Sequence, residues 1–153
     1  FNFRGVGRSQ GEFDDGPGEL SDAASALDWA QTYNPNAQTC WIAGFSFGAW
    51  VAMQLMMRRP EITGFISIAP PADSQDFSFL APCPASGMIL HGDNDEMVPI
   101  ASVDRLAQKL KKQKNISIDF RPLKNCDHFF QDHIKEMNQH IEDYLDKNLV
   151  LNT

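Results

Sequence analysis

The chain has 153 residues, of which 42% are apolar and 22% are charged, and its formal net charge is −7. This composition is typical of one globular domain with a core of its own. The negative charge argues against a nucleic-acid partner, and no run of about 18 apolar residues predicts a membrane span. The sparse, odd set of three cysteines has no zinc-site spacing and predicts free thiols in a reducing, cytoplasmic compartment: Cys40, Cys83 and Cys126.

The hydrophobic pattern predicts strands that alternate with helices along the chain. The predicted strands are residues 1–3, 39–43, 65–69, 87–90 and 116–120, and the predicted helices cover residues 23–30, 47–57, 103–110 and 134–145. The last strand alternates between apolar and polar side chains, as expected of an edge strand. This order predicts an α/β fold with a mostly parallel sheet and helices on both faces, in a single domain over residues 1–153.

The pentapeptide Gly44-Phe45-Ser46-Phe47-Gly48 lies between a predicted strand and a predicted helix. A Gly-x-Ser-x-Gly sequence in this position predicts a nucleophile elbow, a sharp turn that lifts the serine hydroxyl clear of the backbone. Side chains at positions 44 and 48 would be expected to clash in such a turn, which explains Gly44 and Gly48. At the start of the helix, the N–H of Phe47 is expected to stabilise a developing oxyanion.

A nucleophilic serine needs a base, and the base needs an acid that orients it. In elbow proteins both follow the serine, in the order acid and then histidine. The loop after the strand at 87–90 offers Asp93 and Asp95 as acids, and the local pattern does not separate them. The loop after the strand at 116–120 offers His128 as the base. Asp127 is expected to point away from its neighbour and to serve as a turn or capping residue.

The remaining residues with chemical potential are given structural roles. His91 is expected to fix its own loop by a local hydrogen bond, while His133 and His140 fall on the last predicted helix and are expected to be solvated. Glu96 is interpreted as a solvated loop charge. Cys126 lies so close in sequence to the predicted base that its thiol is badly placed to act as a nucleophile.

Four segments of the chain together carry a family resemblance. They are residues 1–9, the elbow, the loop from His91 to Pro99 with the pattern His-Gly-x-x-Asp-x-x-Val-Pro, and the segment from Asp127 to Phe130. In these segments the chain resembles the α/β-hydrolases, and among them the small, lid-poor bacterial serine hydrolases related to dienelactone hydrolase. The resemblance implies the α/β-hydrolase fold and a catalytic triad of Ser46, Asp95 and His128, with Asp95 preferred over Asp93.

The resemblance also bears on the start of the chain. In the family, residues 1–3 correspond to the fourth strand of the sheet, and the third strand would lie between them and the strand at 39–43. Because unpaired strand edges are unfavourable, we expect the chain to be the C-terminal portion of a longer domain. The second donor to the oxyanion is then expected upstream of residue 1, and a signal peptide upstream is left open.

The resemblance implies a serine hydrolase that cleaves carboxylic esters through an acyl-enzyme on Ser46, with no metal or organic cofactor. The short segment at 70–86, where larger lids are inserted in the superfamily, favours an open site for short-chain or small aryl esters. An acyltransferase, a thioesterase or a peptidase would use the same triad. A non-catalytic binding protein of this fold is the other alternative, and the intact triad argues against it. Six phenylalanines are candidates for an apolar acyl pocket, although for each one taken singly a place in the core is the favoured interpretation: Phe45, Phe47, Phe77, Phe79, Phe129 and Phe130.

Overall fold

The computed structural model describes residues 1–149, which form four strands and four α-helices. Helices alternate with strands as predicted, except that no helix stands between the second and the third strand. The strands are β1 (Trp41–Phe45), β2 (Gly64–Ile68), β3 (Ser86–Gly92) and β4 (Ile118–Leu123). The helices are α1 (Pro17–Tyr33), α2 (Phe47–Met56), α3 (Ile100–Lys111) and α4 (Ile134–Leu149), and a short 3₁₀ helix at Gln131–His133 precedes α4. No helix in this part of the chain is long and apolar enough to cross a membrane.

The four strands form one parallel sheet in the order β1-β2-β3-β4. In its register, Phe45 lies beside Ile68, and Ile68 lies beside Leu90. The carboxyl ends of neighbouring strands therefore meet at one edge of the sheet, where the loops that follow them come together. The predicted parallel sheet is confirmed, and β4 is at an edge of the sheet as its alternating sequence predicts.

Helices cover both faces of the sheet. Side chains that alternate along a strand point to opposite faces, and Phe65 and Ile66 of β2 accordingly belong to two separate core clusters. The first cluster contains buried residues of α1, α2 and α3, and the second contains Tyr144 and other apolar residues of α4. The sheet is thereby fixed from both sides, which holds the loops at its carboxyl edge in place.

The predicted strand at residues 1–3 is not formed. The backbone turns there instead, because the N–H of Val6 donates to the carbonyl of Phe3 and the N–H of Gly5 donates to the carbonyl of Gln10. Within the described residues, β1 pairs only with β2 and its other edge carries no strand. A cavity of about 370 Å³ lies along this edge, with Phe3 and Phe45 among its lining residues.

The segment before α1 is held against the helix by buried polar contacts. The fully buried carboxylate of Glu19 accepts the N–H groups of Asp14 and Gly16, both at 2.8 Å. Burial raises the pKa of Glu19, but hydrogen bonds from these amides outweigh it, so that the pKa is lowered overall. Arg4 adds two hydrogen bonds of 2.7 Å to Asp22. These contacts position residues 1–16 beside the start of α2.

Candidate active site

The turn between β1 and α2 has the geometry of the predicted elbow. Ser46 is its central residue and has φ 50° and ψ −120°, a conformation that is strained for any residue other than glycine. Its N–H donates to the carbonyl of Ile68 at the end of β2, at 2.8 Å. This hydrogen bond ties the turn to the neighbouring strand and helps to hold the strained backbone.

The two glycines of the pentapeptide do not share the same role. A Cβ atom on Gly44 would lie 2.3 Å from the carbonyl oxygen of Gly48, so no side chain fits there. A Cβ atom on Gly48 would meet only the Phe3 ring, at an ordinary 3.6 Å. The expectation of a clash on both sides of the serine is therefore wrong for Gly48, because the close approach is between the α-carbon of residue 44 and the carbonyl of residue 48.

The structure brings the predicted serine, histidine and aspartate into one hydrogen-bonded chain. Ser46 Oγ lies 3.1 Å from His128 Nε2, and His128 Nδ1 lies 2.6 Å from Asp95 Oδ2. Because a carboxylate only accepts, Nδ1 carries the proton and Nε2 is left to accept from the serine hydroxyl. Asp95 and His128 are only 9% and 4% exposed, which strengthens the interaction between them. The three residues follow β1, β3 and β4, so all lie at the carboxyl edge of the sheet.

The carboxylate of Asp95 is held at both oxygen atoms. Oδ1 accepts the N–H groups of Met97 and Val98, each at 2.8 Å, and these bonds turn Oδ2 toward the histidine. His91 is fully buried beside it, with Nε2 donating to the carbonyl of Val98 at 2.9 Å and lying 3.6 Å from Asp95 Oδ2. Burial lowers the pKa of His91, which keeps its ring neutral.

The local hydrogen bond expected of His91 is present, whereas its contact with Asp95 is missed by sequence reasoning. His91 lies near the end of β3 and Asp95 in the loop that follows it, where spacing alone does not say which side chains meet. A periodic element would have given such a signal.

The other acids near the site serve the backbone. Asp93 Oδ1 accepts the N–H of Asn125 at 2.6 Å and thereby joins the two loops that carry the acid and the base. Asp127 Oδ1 accepts the N–H of Gln131 at 3.2 Å, which is the turn role expected of it. Neither carboxylate has a hydrogen bond to His128 within residues 1–149. The geometry therefore favours Asp95 over its near competitor.

The remaining histidines and cysteines lie away from this chain of hydrogen bonds. His133 belongs to the 3₁₀ helix and not to the last α-helix, and the ring of His140 contacts Arg121 instead of being wholly solvated. Cys126 is fully buried, and burial together with the carboxylate of Asp127 raises its pKa to about 11. In the described part of the chain, no group of three or more histidine, cysteine or acidic side chains is placed to hold a metal ion.

A free amide faces the elbow at the start of α2. The N–H groups of Ala49 and Trp50 donate to the carbonyl of Ser46, but the N–H of Phe47 has no acceptor among the described residues. The positive end of the helix dipole adds to the field at this point. The Phe47 amide can therefore donate to an oxyanion that forms next to Ser46 Oγ.

Only part of the predicted set of phenylalanines faces the site. Phe45 and Phe129 are 40% and 55% exposed, and their ring centroids lie 5.2 Å and 5.1 Å from that of His128. Phe47 packs its ring against other aromatic side chains at the start of α2. Phe130 and Phe77, which stacks on Phe79, are buried and take the core role that is favoured for each of these residues singly.

Comparisons with known proteins agree with this architecture. The dienelactone hydrolase family matches residues 13–147. An uncharacterized protein of Rickettsia prowazekii (strain Madrid E) is 55% identical over 148 residues, which make up 94% of this chain and 62% of that protein. The chain thus spans less than two thirds of the length of this curated relative.

Solved structures are also similar over most of the chain, among them the following two. A protein of unknown function from Agrobacterium tumefaciens is 59% identical with a TM-score of 0.94, over 97% of this chain and 68% of that one. A serine hydrolase without a lid from Xanthomonas campestris is 33% identical with a TM-score of 0.85, over 95% of this chain and 64% of that one. The sequence resemblance is confirmed, and the chain belongs to the dienelactone hydrolase family, with the α/β-hydrolase fold.

Proposed function

We propose that this chain carries the nucleophile, the base and the acid of a serine hydrolase that cleaves carboxylic esters. The observation that carries the proposal is the continuous hydrogen-bonded chain from Ser46 through His128 to Asp95. The strained conformation of Ser46 and the free N–H of Phe47 support the same reading, because a nucleophile elbow combines both features.

In the proposed mechanism, Ser46 Oγ attacks the ester carbonyl carbon while its proton passes to His128 Nε2. Asp95 stabilises the imidazolium that forms, and the Phe47 N–H stabilises the oxyanion. The tetrahedral intermediate collapses as the bond between the acyl carbon and the leaving oxygen breaks, and that oxygen takes the proton from Nε2. Water activated by the same histidine then attacks the acyl-enzyme and releases the carboxylic acid.

The proposed substrates are small-molecule esters with short acyl chains or small aryl groups. Residues 69–85, between β2 and β3, form neither a helix nor a strand, so this segment supplies no folded lid. The related Xanthomonas protein is itself described as lacking a lid. An open site places no deep tunnel around a long acyl chain, which favours small substrates.

Unpaired thiols at all three cysteines support the further proposal of a cytoplasmic location.

The proposal is tested by covalent labelling with a fluorophosphonate probe, followed by intact mass. Wild type is expected to gain one adduct, and Ser46→Ala none. Ser25→Ala serves as the matched control, because Ser25 is exposed on α1 and only donates to the carbonyl of Ser21. Turnover of p-nitrophenyl acetate should follow the labelling pattern. An unlabelled wild type, or a labelled Ser46→Ala, would contradict the proposed function.

A further inference from the structure

In the proposed reaction, His128 marks the side of the site on which the alcohol part of the ester must lie. The proton taken from Ser46 is delivered by His128 Nε2 to the leaving oxygen, so this oxygen comes within hydrogen-bond reach of Nε2. The substituent on the leaving oxygen then continues past the imidazole. Groups that surround the imidazole therefore contact the alcohol part of the substrate, whereas the acyl part is attached to Ser46.

Two exposed aromatic rings surround this imidazole. The Phe129 ring meets the His128 ring edge-on at 5.1 Å, and the Phe45 ring is tilted against it at 5.2 Å. The two phenylalanine rings lie 6.2 Å from each other. They also remain 55% and 40% exposed, so both have apolar surface available for a ligand. Rings at these separations are typical of favourable aromatic contacts.

A cavity of about 270 Å³ opens beside the rings of His128 and Phe129, and Phe45 lies outside its lining. Its walls include Met97, which is 60% exposed, together with Phe129 and His128. An apolar cavity of roughly 150 Å³ is enough to bind benzene, so this volume accommodates one aromatic ring with its substituents. The thioether of Met97 adds a polarizable surface that packs well against aromatic groups.

Apart from the base His128, the ionisable side chains that line the same cavity are both carboxylates, those of Glu96 and Asp127. The other polar lining residue is Asn94, and none of the lining residues is a lysine or an arginine. A leaving group that bears a carboxylate would be repelled by these side chains, whereas a neutral aryl group would not. Glu96, interpreted from the sequence as a solvated loop charge, therefore faces the space next to the base.

On the basis of the proposed serine hydrolase function, we propose that Met97 and Phe129 form a subsite for the alcohol part of the ester, with Phe45 bordering it through its contacts with the His128 and Phe129 rings. This subsite binds neutral aromatic alcohols, and Glu96 and Asp127 discriminate against anionic ones. The bond chemistry is that of the acylation step, in which the aryloxide leaves with the proton from His128 Nε2. Selectivity for the leaving group and selectivity for the acyl chain are thus set by different parts of the site.

The test compares esters that differ in only one half. Phenyl acetate and methyl acetate give the same acetyl-enzyme, so the ratio of their kcat/KM values reports the alcohol subsite alone. Phe129→Ala is expected to lower this ratio by about tenfold, the effect of losing an apolar contact in a pocket. Met97→Ala is expected to lower it in the same direction. Across p-nitrophenyl acetate, butyrate and hexanoate, both variants should lower kcat/KM by one common factor.

The matched control is Tyr33→Ala, which removes an exposed ring on α1 that contacts only Trp29 among the aromatic residues described. This variant should leave unchanged both the ratio of kcat/KM for phenyl acetate to that for methyl acetate and the kcat/KM values for the three p-nitrophenyl esters. The subsite would be overturned if Phe129→Ala and Met97→Ala lowered kcat/KM equally for phenyl acetate and methyl acetate. It would also be overturned if they changed the order of preference among the acyl chains and left the phenyl-to-methyl ratio unchanged. A wild type that neither reacts with the fluorophosphonate nor hydrolyses any ester would instead overturn the proposed function, and the subsite with it.

A separate experiment tests the discrimination against anionic leaving groups. Wild type should prefer phenyl acetate over 4-carboxyphenyl acetate, and Glu96→Gln should reduce this preference by about two- to fivefold, the factor of one exposed charge interaction. An unchanged preference in Glu96→Gln would refute the discrimination assigned to this carboxylate.

Discussion

The most direct test of the elbow geometry is the addition of one methyl group at Gly44. In Gly44→Ala the Cβ atom would lie 2.3 Å from the carbonyl oxygen of Gly48 and 2.7 Å from the α-carbon of Ala49. Unstrained carbon contacts lie at about 3.5 Å, so the overlap reaches about 1 Å and involves backbone that cannot rotate away. We expect a loss of about 3 kcal/mol in the free energy of unfolding, at the upper end of the usual overpacking range.

The same displacement should affect reactivity. A shift of about 1 Å in the turn moves Ser46 Oγ relative to the base, and misplacement on this scale costs about 10² in rate. Gly48→Ala is the matched control, because its Cβ meets only the Phe3 ring at 3.6 Å and the residue lies within α2. Alanine is favoured over glycine in a helix by about 1 kcal/mol, so this variant should be at least as stable as wild type.

Urea denaturation followed by tryptophan fluorescence gives the free energies of unfolding, and the rate of fluorophosphonate labelling gives the reactivity. A Gly44→Ala variant that unfolds at the wild-type urea concentration and labels at the wild-type rate would refute the close approach. A Gly48→Ala variant that loses as much stability as Gly44→Ala would refute the one-sided geometry.

Three further predictions follow from the residues around the elbow. Asp95→Asn should lower kcat for p-nitrophenyl acetate by about 10⁴, because the amide no longer fixes the histidine tautomer. Asp93→Asn keeps an oxygen that can accept the same hydrogen bond and should keep the wild-type kcat. Equal kcat values for the two variants would contradict the assignment of Asp95 as the acid. Cys126, with its buried thiol and a pKa of about 11, should resist iodoacetamide in the folded protein while the half-buried Cys40 reacts first, as peptide mass mapping would show. Burial lowers the pKa of His91 below its unfolded value of about 6.5, so the unfolded state takes up the proton first and stability falls as the pH drops below about 6.5. His91→Gln should flatten this part of the pH dependence in urea unfolding, and an unchanged slope would show that His91 is not its source.

The elbow could be predicted because all of its information is local. A short run with the content of a buried strand, a Gly-x-Ser-x-Gly turn and an apolar run that ends before Pro60 follow one another, and each has a direct structural meaning. The choice between Asp93 and Asp95 is different, since both lie in one loop. The geometry favours Asp95 because its side chain reaches His128 in another loop, whereas Asp93 is held by the N–H of Asn125. Both contacts join residues more than 30 positions apart, so the local pattern cannot anticipate them, and only the family resemblance indicated the choice.

Two other features show where pattern alone is insufficient. Residues 1–3 have the apolar content of a strand, but a strand exists only through a hydrogen-bonded neighbour, and none pairs with them within residues 1–149. Phe129 and Phe130 are equally apolar neighbours, yet one is 55% exposed and the other 1%. The left-handed backbone of Phe130, with φ 56°, turns the two rings in different directions, and no hydrophobic pattern encodes such a turn.

At Ser46 the residue that would be most stable in the backbone conformation differs from the residue that the proposed reaction needs. The Ser46 dihedral angles of φ 50° and ψ −120° are adopted easily by glycine but cost any other residue on the order of 1–3 kcal/mol. Ser46→Gly should therefore give a protein that melts at a higher temperature and has no nucleophile. Selection for thermal stability alone would drive the serine out of this chain, so a serine at this strained point is expected only if a reaction, such as the proposed one, offsets the lost stability.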